Sequence, residues 1–202
     1  VDSVENLVGK RSLIVVTGTP SVGKTVFSKL LAKRLKALHV DIGKIAREEN
    51  LTSTYNRRMG TYVVDMPRLR GMLSLLVKNF KGSIILDGHY AVDAVPSRSI
   101  DYIFVLRCHP RVLRKRLLRR GFSLAKVAEN VAAEVLDVCL MDALNACAAG
   151  KVCEIDTTDK KVDEAVDQAL KVFRGSVKAK VGVFDWLTKL EEEGKLEEFM
   201  AY

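Results

Sequence analysis

The chain has 202 residues, 48% of them hydrophobic, which suits one domain with a sizeable core and a small appendage. No run approaches the ~20 apolar residues of a membrane-spanning helix, so a helical membrane protein is excluded. The net charge of +8 fits a polyanionic partner, either RNA or the phosphates of a nucleotide.

The opening Val1-Asp2-Ser3-Val4-Glu5 is acidic and lacks a signal-peptide pattern. The expectation is a soluble, cytoplasmic protein, or a nuclear one if the source is eukaryotic. The four cysteines, Cys108, Cys139, Cys147 and Cys153, form no C-x-x-C pair, and no histidine stands at zinc-ligand spacing. Reduced, mostly buried thiols are expected rather than a metal site.

The run Leu13–Thr17 reads as a buried strand. It leads into Gly18-Thr19-Pro20-Ser21-Val22-Gly23-Lys24-Thr25, which fits G-x-x-x-x-G-K-[ST], and then into a helix over Lys24–Leu35. Strand, glycine loop and helix in that order form a phosphate-binding loop. Gly18 and Gly23 allow backbone angles that a side chain would forbid, so successive N–H groups turn inward towards an anion. The helix start adds its own unpaired donors. Lys24 supplies a point charge near the transferred phosphoryl group, and the Thr25 hydroxyl is a ligand for Mg²⁺. The ATP-binding candidates are Gly18, Thr19, Pro20, Ser21, Val22, Gly23, Lys24, Thr25 and Val26.

Strands are expected next at Leu38–Asp41, 83–87, Tyr102–Arg107 and Val152–Asp156. Helices are expected at 43–49, Met66–Asn79, Pro110–Arg119, 124–148 and 161–174. Strands alternating with helices imply an α/β fold with parallel strands and helical crossovers. Ser123 is placed as an N-cap, Gly150 as a helix stop, and Pro110 at a helix start. After Gly175, Val183-Phe184-Asp185-Trp186-Leu187 begins a short amphipathic helix, and Gly194 interrupts it or separates two short helices. This tail is expected to pack on the core, with partner docking as the alternative.

Asp87 ends an apolar strand and is followed by Gly88 and His89 at the carboxyl edge of the sheet, where ligands bind in open α/β folds. Asp87 is therefore the candidate acid for orienting Mg²⁺. His89 would polarise an attacking water or touch a phosphate, or else serve as a turn residue. His39 and His109 read as structural or surface residues. Arg107, Arg111, Arg114, Lys115, Arg116, Arg119 and Arg120 crowd one segment, ordinarily a solvated face. Arg116 and Arg120 lie four apart at a helix end beside Gly121, an arrangement that suits a lid closing on ATP phosphates, with Arg119 assisting. Arg47 stands where a second phosphate would be held.

Several blocks carry a family resemblance. They are G-T-P-S-V-G-K-T, Ile42-Gly43-Lys44-Ile45-Ala46-Arg47-Glu48-Glu49, Leu86-Asp87-Gly88-His89, Ile103-Phe104-Val105-Leu106-Arg107, Arg116-Leu117-Leu118-Arg119-Arg120-Gly121-Phe122-Ser123 and Glu129-Asn130-Val131-Ala132-Ala133-Glu134. In this order, from about Leu13 to Arg174, the chain resembles the adenylate kinase isoenzyme 6 family.

That resemblance implies a phosphate-loop NTPase fold of the nucleoside-monophosphate-kinase kind, with a five-stranded parallel sheet, helices on both faces and a short lid. It implies a kinase domain over 1–175, with an AMP-side region at about 41–65 and a lid at about 119–129, followed by a helical extension over 176–202. It implies that Gly43 and Arg47 bind AMP, that Arg120 contacts ATP, and that Asp87 and His89 form an acid-x-histidine motif linked to ATP hydrolysis. The implied activities are adenylate kinase and ATPase, with ATP and Mg²⁺. The implied partners are small-subunit ribosomal protein eleven and the maturing small ribosomal subunit, with ribosomal RNA nearby. A rival reading is an ATP-switched assembly factor whose kinase activity is incidental. A structural RNA-binding protein with a relic loop is less compatible with Lys24, Thr25 and Asp87. Departures from the family pattern are Ser21, Lys44, Gly88, and Arg57 with Arg58, mostly on the monophosphate side.

Overall fold

The computed structural model describes residues 11–56 and 61–200, with side chains outside 53–62. The N-terminal acidic segment and the Arg57–Arg58 pair lie outside the described residues.

A five-stranded parallel sheet holds β1 (Leu13–Thr17), β2 (Leu38–Asp41), β5 (Ile84–Asp87), β6 (Tyr102–Arg107) and β7 (Val152–Asp156), in the spatial order β2-β5-β1-β6-β7. All five positions of β1 are buried, as expected of a central strand covered on both faces. Side chains alternate across a strand. Ile14 and Val16 therefore join one core with Phe27, Leu31, Phe104, Val166 and Phe173, while Leu13 and Val15 join the opposite core with Val40, Leu69, Leu73 and Ile103.

The covering helices are α1 (Lys24–Leu35), α2 (Ile42–Glu48), α3 (Met66–Asn79), α4 (Pro110–Arg119), α5 (Leu124–Val135), α6 (Val138–Ala146) and α7 (Val162–Phe173). Ser123 caps α5 by accepting from Lys126 N, and Pro110 occupies the start of α4. Asp41 caps α2 by accepting from Lys44 N at 2.8 Å. Between α2 and α3 the backbone forms an antiparallel pair, β3 (Thr52–Asn56) and β4 (Thr61–Val64), which the sequence reading missed.

The helix expected over 124–148 is two helices. Asp137 takes a left-handed conformation (φ 56°) between α5 and α6. Arg107 Nη2 donates both to the Glu134 carbonyl, at 3.1 Å, and to Asp137 Oδ1, so a guanidinium from β6 satisfies the backbone where the helix breaks. Gly150 does not stop the helix either: α6 ends at Ala146, with Cys147 as its extended cap.

The tail forms α8 (Trp186–Glu192) and α9 (Leu196–Met200), separated by Gly194 in a left-handed conformation (φ 65°). Leu190 and Phe199 are buried in the core that also contains α5 residues Val127 and Val131. Glu198 pairs with Arg114 of α4 at 3.6 Å, so part of the acidic tail answers the basic helix. Among the described residues, no helix is long and apolar enough to cross a membrane.

Candidate active site

The carboxyl ends of β1, β2 and β5 open onto a cleft of about 860 Å³. Along one wall are Pro20, Ser21, Gly23, Lys24, Thr25 and Val26, and along the other are Asp41, Gly43 and Arg47. Asp87 and His89 lie between them, and Arg116, Arg119 and Arg120 line the rim. The structure therefore gathers residues separated by a hundred positions along the chain into one space.

The phosphate loop has the expected turned backbone. Gly18 (φ 136°) and Gly23 (φ 106°) lie at positive φ. Gly18 also has no room for a side chain, because a Cβ would sit 2.5 Å from the Leu106 carbonyl oxygen. Ser21 is itself left-handed (φ 70°), a conformation that strains a side-chain-bearing residue. Lys24 Nζ donates to the carbonyls of Gly18 at 2.7 Å and Thr19 at 2.8 Å, folded across its own loop. Burial lowers its pKa, against Cys139, Asp87 and Glu134, which favour the charged form. Thr19 and Val22 are buried inside the loop rather than opening onto the cleft.

Asp87 is buried, and its Oδ2 lies 2.7 Å from His39 Nε2. His39, expected to be structural or at the surface, is a partly buried partner of Asp87 and does not itself line the cleft. β2 and β5 are parallel neighbours with His39 in register with Ile85, which brings the imidazole towards the carboxylate at the end of β5. His89 faces the cleft with its ring 4.5 Å from that of Tyr90, and its carbonyl accepts from Thr17 Oγ1 at 3.3 Å. Crowding by the cleft walls, then the charges of Lys24 and Lys126, depress its pKa to about 4, so it is neutral near pH 7.

Arg47 is exposed on the last turn of α2. Gly43 lies beside it, where a Cβ would be 3.5 Å from Arg47 Nη1, an ordinary contact distance. Tyr90, which the sequence reading missed, also lines this side; burial raises its pKa while Arg47 lowers it.

The two arginines expected to serve a lid do different things. Arg120 reaches the loop, with Nη1 3.4 Å from Ser21 Oγ. Arg116 is instead held by the carbonyls of Thr157 at 2.6 Å and Thr158 at 2.7 Å. A short turn over 120–123 joins α4 to α5, with Gly121 at φ 77°, and the lid expected at about 119–129 spans this turn and the first half of α5. A second pocket of about 220 Å³ lies between this arginine, the loop and the turn after β7, lined by Val22, Val26, Phe27, Thr157 and Lys160. Nothing in the sequence reading singled out Thr157, whose hydroxyl donates to the Val22 carbonyl at 2.8 Å across 135 positions.

Thr25 and Asp87 are hard oxygen donors on one cleft, which fits Mg²⁺, an ion that takes one or two protein oxygens and completes its octahedron with phosphate and water. Among the described residues there is no group of three or more histidine, cysteine and carboxylate ligands, and a phosphate-loop magnesium site does not require one.

Arg107 is not part of a solvated face. It is buried with Glu134 and Glu154, and their charges, together with that of Asp137, outweigh burial and raise its pKa. Such a cluster is weak evidence for stability, but removing one member typically costs about 3–5 kcal/mol. Cys108, Cys147 and Cys153 are buried and all four cysteines are free, with burial pushing the Cys108 thiol to about 12 and that of Cys139 to about 11.

A family model described as AAA domain matches residues 14–137. A protein of Methanocaldococcus jannaschii named "Putative adenylate kinase" is 40% identical over 87% of this chain and 93% of its own length. Proteins of the same name from Pyrococcus furiosus and Archaeoglobus fulgidus are 36% and 35% identical, over 90% and 93% of this chain and 94% and 98% of their own lengths. Among solved structures, shikimate kinase from Acinetobacter baumannii in complex with shikimate superposes with a TM-score of 0.61 at 13% identity, covering 85% of this chain and 97% of that one. A gluconokinase from Sinorhizobium meliloti gives 0.54 at 16% identity, covering 83% and 95%. These two show the shared fold of phosphate-loop kinases. By its match to the AAA domain and to full-length relatives, the chain belongs to the family of these archaeal proteins.

Proposed function

We propose that the protein transfers the γ-phosphoryl group of ATP to AMP, with Mg²⁺, and hydrolyses ATP when a water takes the acceptor's place. The observation that carries this reading is the single cleft with a phosphate loop on one wall and Arg47 on the other. One phosphate site alone would serve an ATPase; two facing sites serve transfer between nucleotides. The names of the relatives support the same substrates.

In this reading the loop N–H groups, released towards the ligand by Gly18 and Gly23, cradle the β- and γ-phosphates. Lys24 leaves the carbonyls it now holds and places its ammonium against the transferred group. The Thr25 hydroxyl and the Asp87 carboxylate would hold Mg²⁺, which would supply neutralisation of the phosphate charge. Arg47 holds the acceptor phosphate in line, and Arg120, already at the rim of the loop, neutralises equatorial oxygens. Arg116 stays on Thr157 and Thr158 and walls the second pocket, where the adenine of ATP would fit, or swings from there onto the phosphates as the lid closes. Neutral His89 accepts a hydrogen bond from the attacking water in hydrolysis. Positioning and charge stabilisation supply the rate, since phosphoryl transfer needs little covalent help.

A second reading is that nucleotide state controls attachment to a maturing small ribosomal subunit, through small-subunit ribosomal protein eleven and nearby ribosomal RNA. It is favoured by the exposed Arg111, Arg114, Lys115 and Arg119 on α4 and by the net charge of +8. Incubating the protein with Mg-ATP, with and without AMP, and measuring ADP and free phosphate separates the two. ADP formed in proportion to AMP without matching phosphate supports the kinase. Phosphate release indifferent to AMP favours the switch.

A further inference from the structure

Three buried charged side chains that the transfer step does not use form one continuous line. Arg107 ends β6, Glu134 lies on α5 and Glu154 on β7, and each is at most 2% exposed. Glu134 divides its carboxylate. Oε1 accepts from Arg107 Nε at 2.8 Å and from Cys108 N at 3.1 Å, while Oε2 accepts from the Thr19 hydroxyl at 2.6 Å. Glu154 does the same further out. Oε1 accepts from Arg107 Nη1 at 2.5 Å and Oε2 from Val183 N at 2.9 Å, and the Glu154 N–H donates to the Lys180 carbonyl at 3.0 Å. The line runs from Thr19 in the phosphate loop, through Glu134, Arg107 and Glu154, to the segment that leads into α8.

Buried charges are expensive, and an apolar core could hold the same helices as well. What the charges add is direction: a guanidinium accepts only one arrangement of carboxylates. Thr19 is the residue they aim at. Its side chain is fixed by Glu134 while its carbonyl holds Lys24 Nζ. Arg107 pairs with Glu134 while also holding Glu154 and Asp137, so the carboxylate that grips Thr19 stays charged and remains a strong acceptor.

We infer that Glu134 is a positioning residue of the phosphate loop, locked in place by Arg107, and that Glu154 extends this lock to the segment at 180–183. The inference rests on the nucleotide reading above. It makes the segment at 180–183 a brace for the ATP side of the cleft.

The test is equilibrium binding to the full chain of a non-hydrolysable ATP analogue (an imido bridge between the β- and γ-phosphorus) with Mg²⁺, and of AMP in separate titrations. Thr19→Val and Glu134→Gln each weaken the analogue about tenfold, the worth of one hydrogen bond to a charged group. Both leave AMP affinity unchanged, and Thr19→Ser restores binding. The double variant binds no more weakly than Thr19→Val alone, because Thr19→Val already removes the bond through which Glu134 acts on the loop. Glu154→Gln weakens the analogue in the same direction by a smaller factor.

Thr19→Val keeps the shape of the side chain and leaves Arg107 paired, so it decides the matter should Glu134→Gln fail to fold. Variants that bind the analogue as wild type does would overturn the inference. So would equal losses for the analogue and AMP, or additive losses in the double variant. Failure of the wild-type protein to bind the analogue would instead overturn the nucleotide reading itself.

Discussion

His39 Nε2 sits 2.7 Å from Asp87 Oδ2, linking two neighbouring parallel strands at the floor of the cleft. Asp87 is thus held from behind by a side chain that does not line the cleft. In the proposed site this orients the carboxylate towards the magnesium position. Outer partners of metal-orienting groups typically matter 10–100-fold in metal affinity. His39→Ala is expected to raise the Mg²⁺ concentration for half-maximal activity by about tenfold. A magnesium titration at saturating nucleotide checks this; an unchanged midpoint would remove His39 from the site.

The phosphate loop was legible in the sequence because its geometry is local: two glycines, a lysine and a threonine at fixed spacing set the backbone by themselves. Asp87 was legible as the acid that ends an apolar strand. His39 was not, because its role depends on β2 pairing with β5, 48 positions apart. The break between α5 and α6 was hidden for the same reason. The residues around Asp137 read as helix, and only the guanidinium of Arg107, from another strand, makes the left-handed turn worthwhile. Residues 52–64 offered no pattern that distinguished the β3–β4 pair from a loop. Arg107 looked like one more surface cation because charge in a sequence carries no record of what folds over it.

Lys24 and His89 should separate by function. Lys24→Ala is expected to cut both transfer and hydrolysis by at least about 100-fold, the usual scale for a lost charge-stabilising donor. His89→Ala should lower hydrolysis by about 100-fold or less while ATP affinity holds, as for a lost general base or water-orienting group. Steady-state rates and nucleotide binding on both variants provide the check. Equal loss of ATP binding in the two would contradict the role given to His89.

Two of the loop's three positive-φ positions, Gly18 and Ser21, respond oppositely. Gly18→Ala places a methyl 2.5 Å from the Leu106 carbonyl and is expected to cost about 1–3 kcal/mol of stability, as overpacking does. Ser21→Gly removes a left-handed strain of about 1–2 kcal/mol and adds about 0.4–1 kcal/mol of unfolded-state entropy, for a net gain of about 0.5 kcal/mol. Denaturant midpoints of the two variants against wild type measure both. Equal and opposite signs to these would show that the loop relaxes in ways its backbone angles do not reveal.

The buried thiols set an alkaline limit. Cys108 is held up to about 12 and Cys139 to about 11, in both cases chiefly by burial. An unfolded cysteine ionises near ~8.5. Above that pH the unfolded chain loses protons that the folded chain retains, so stability falls as pH rises from ~8.5 towards the folded values. Cys108→Ala should flatten the decline, as followed by thermal unfolding between pH 8 and 10. In the native protein at pH 8, iodoacetamide should leave Cys108 unmodified; rapid labelling would contradict its burial.

The central claim is that one cleft binds two nucleotides phosphate to phosphate. Its most direct test is calorimetric titration with a bisubstrate ligand, two adenosines joined by five phosphates, in the presence of Mg²⁺. The account predicts one equivalent bound more tightly than ATP, displaced by ATP and AMP together more effectively than by either alone. It also predicts that Arg47→Ala weakens this ligand while leaving the affinity for an ATP analogue unchanged. Binding no tighter than ATP, with ATP and AMP competing for a single place, would contradict it.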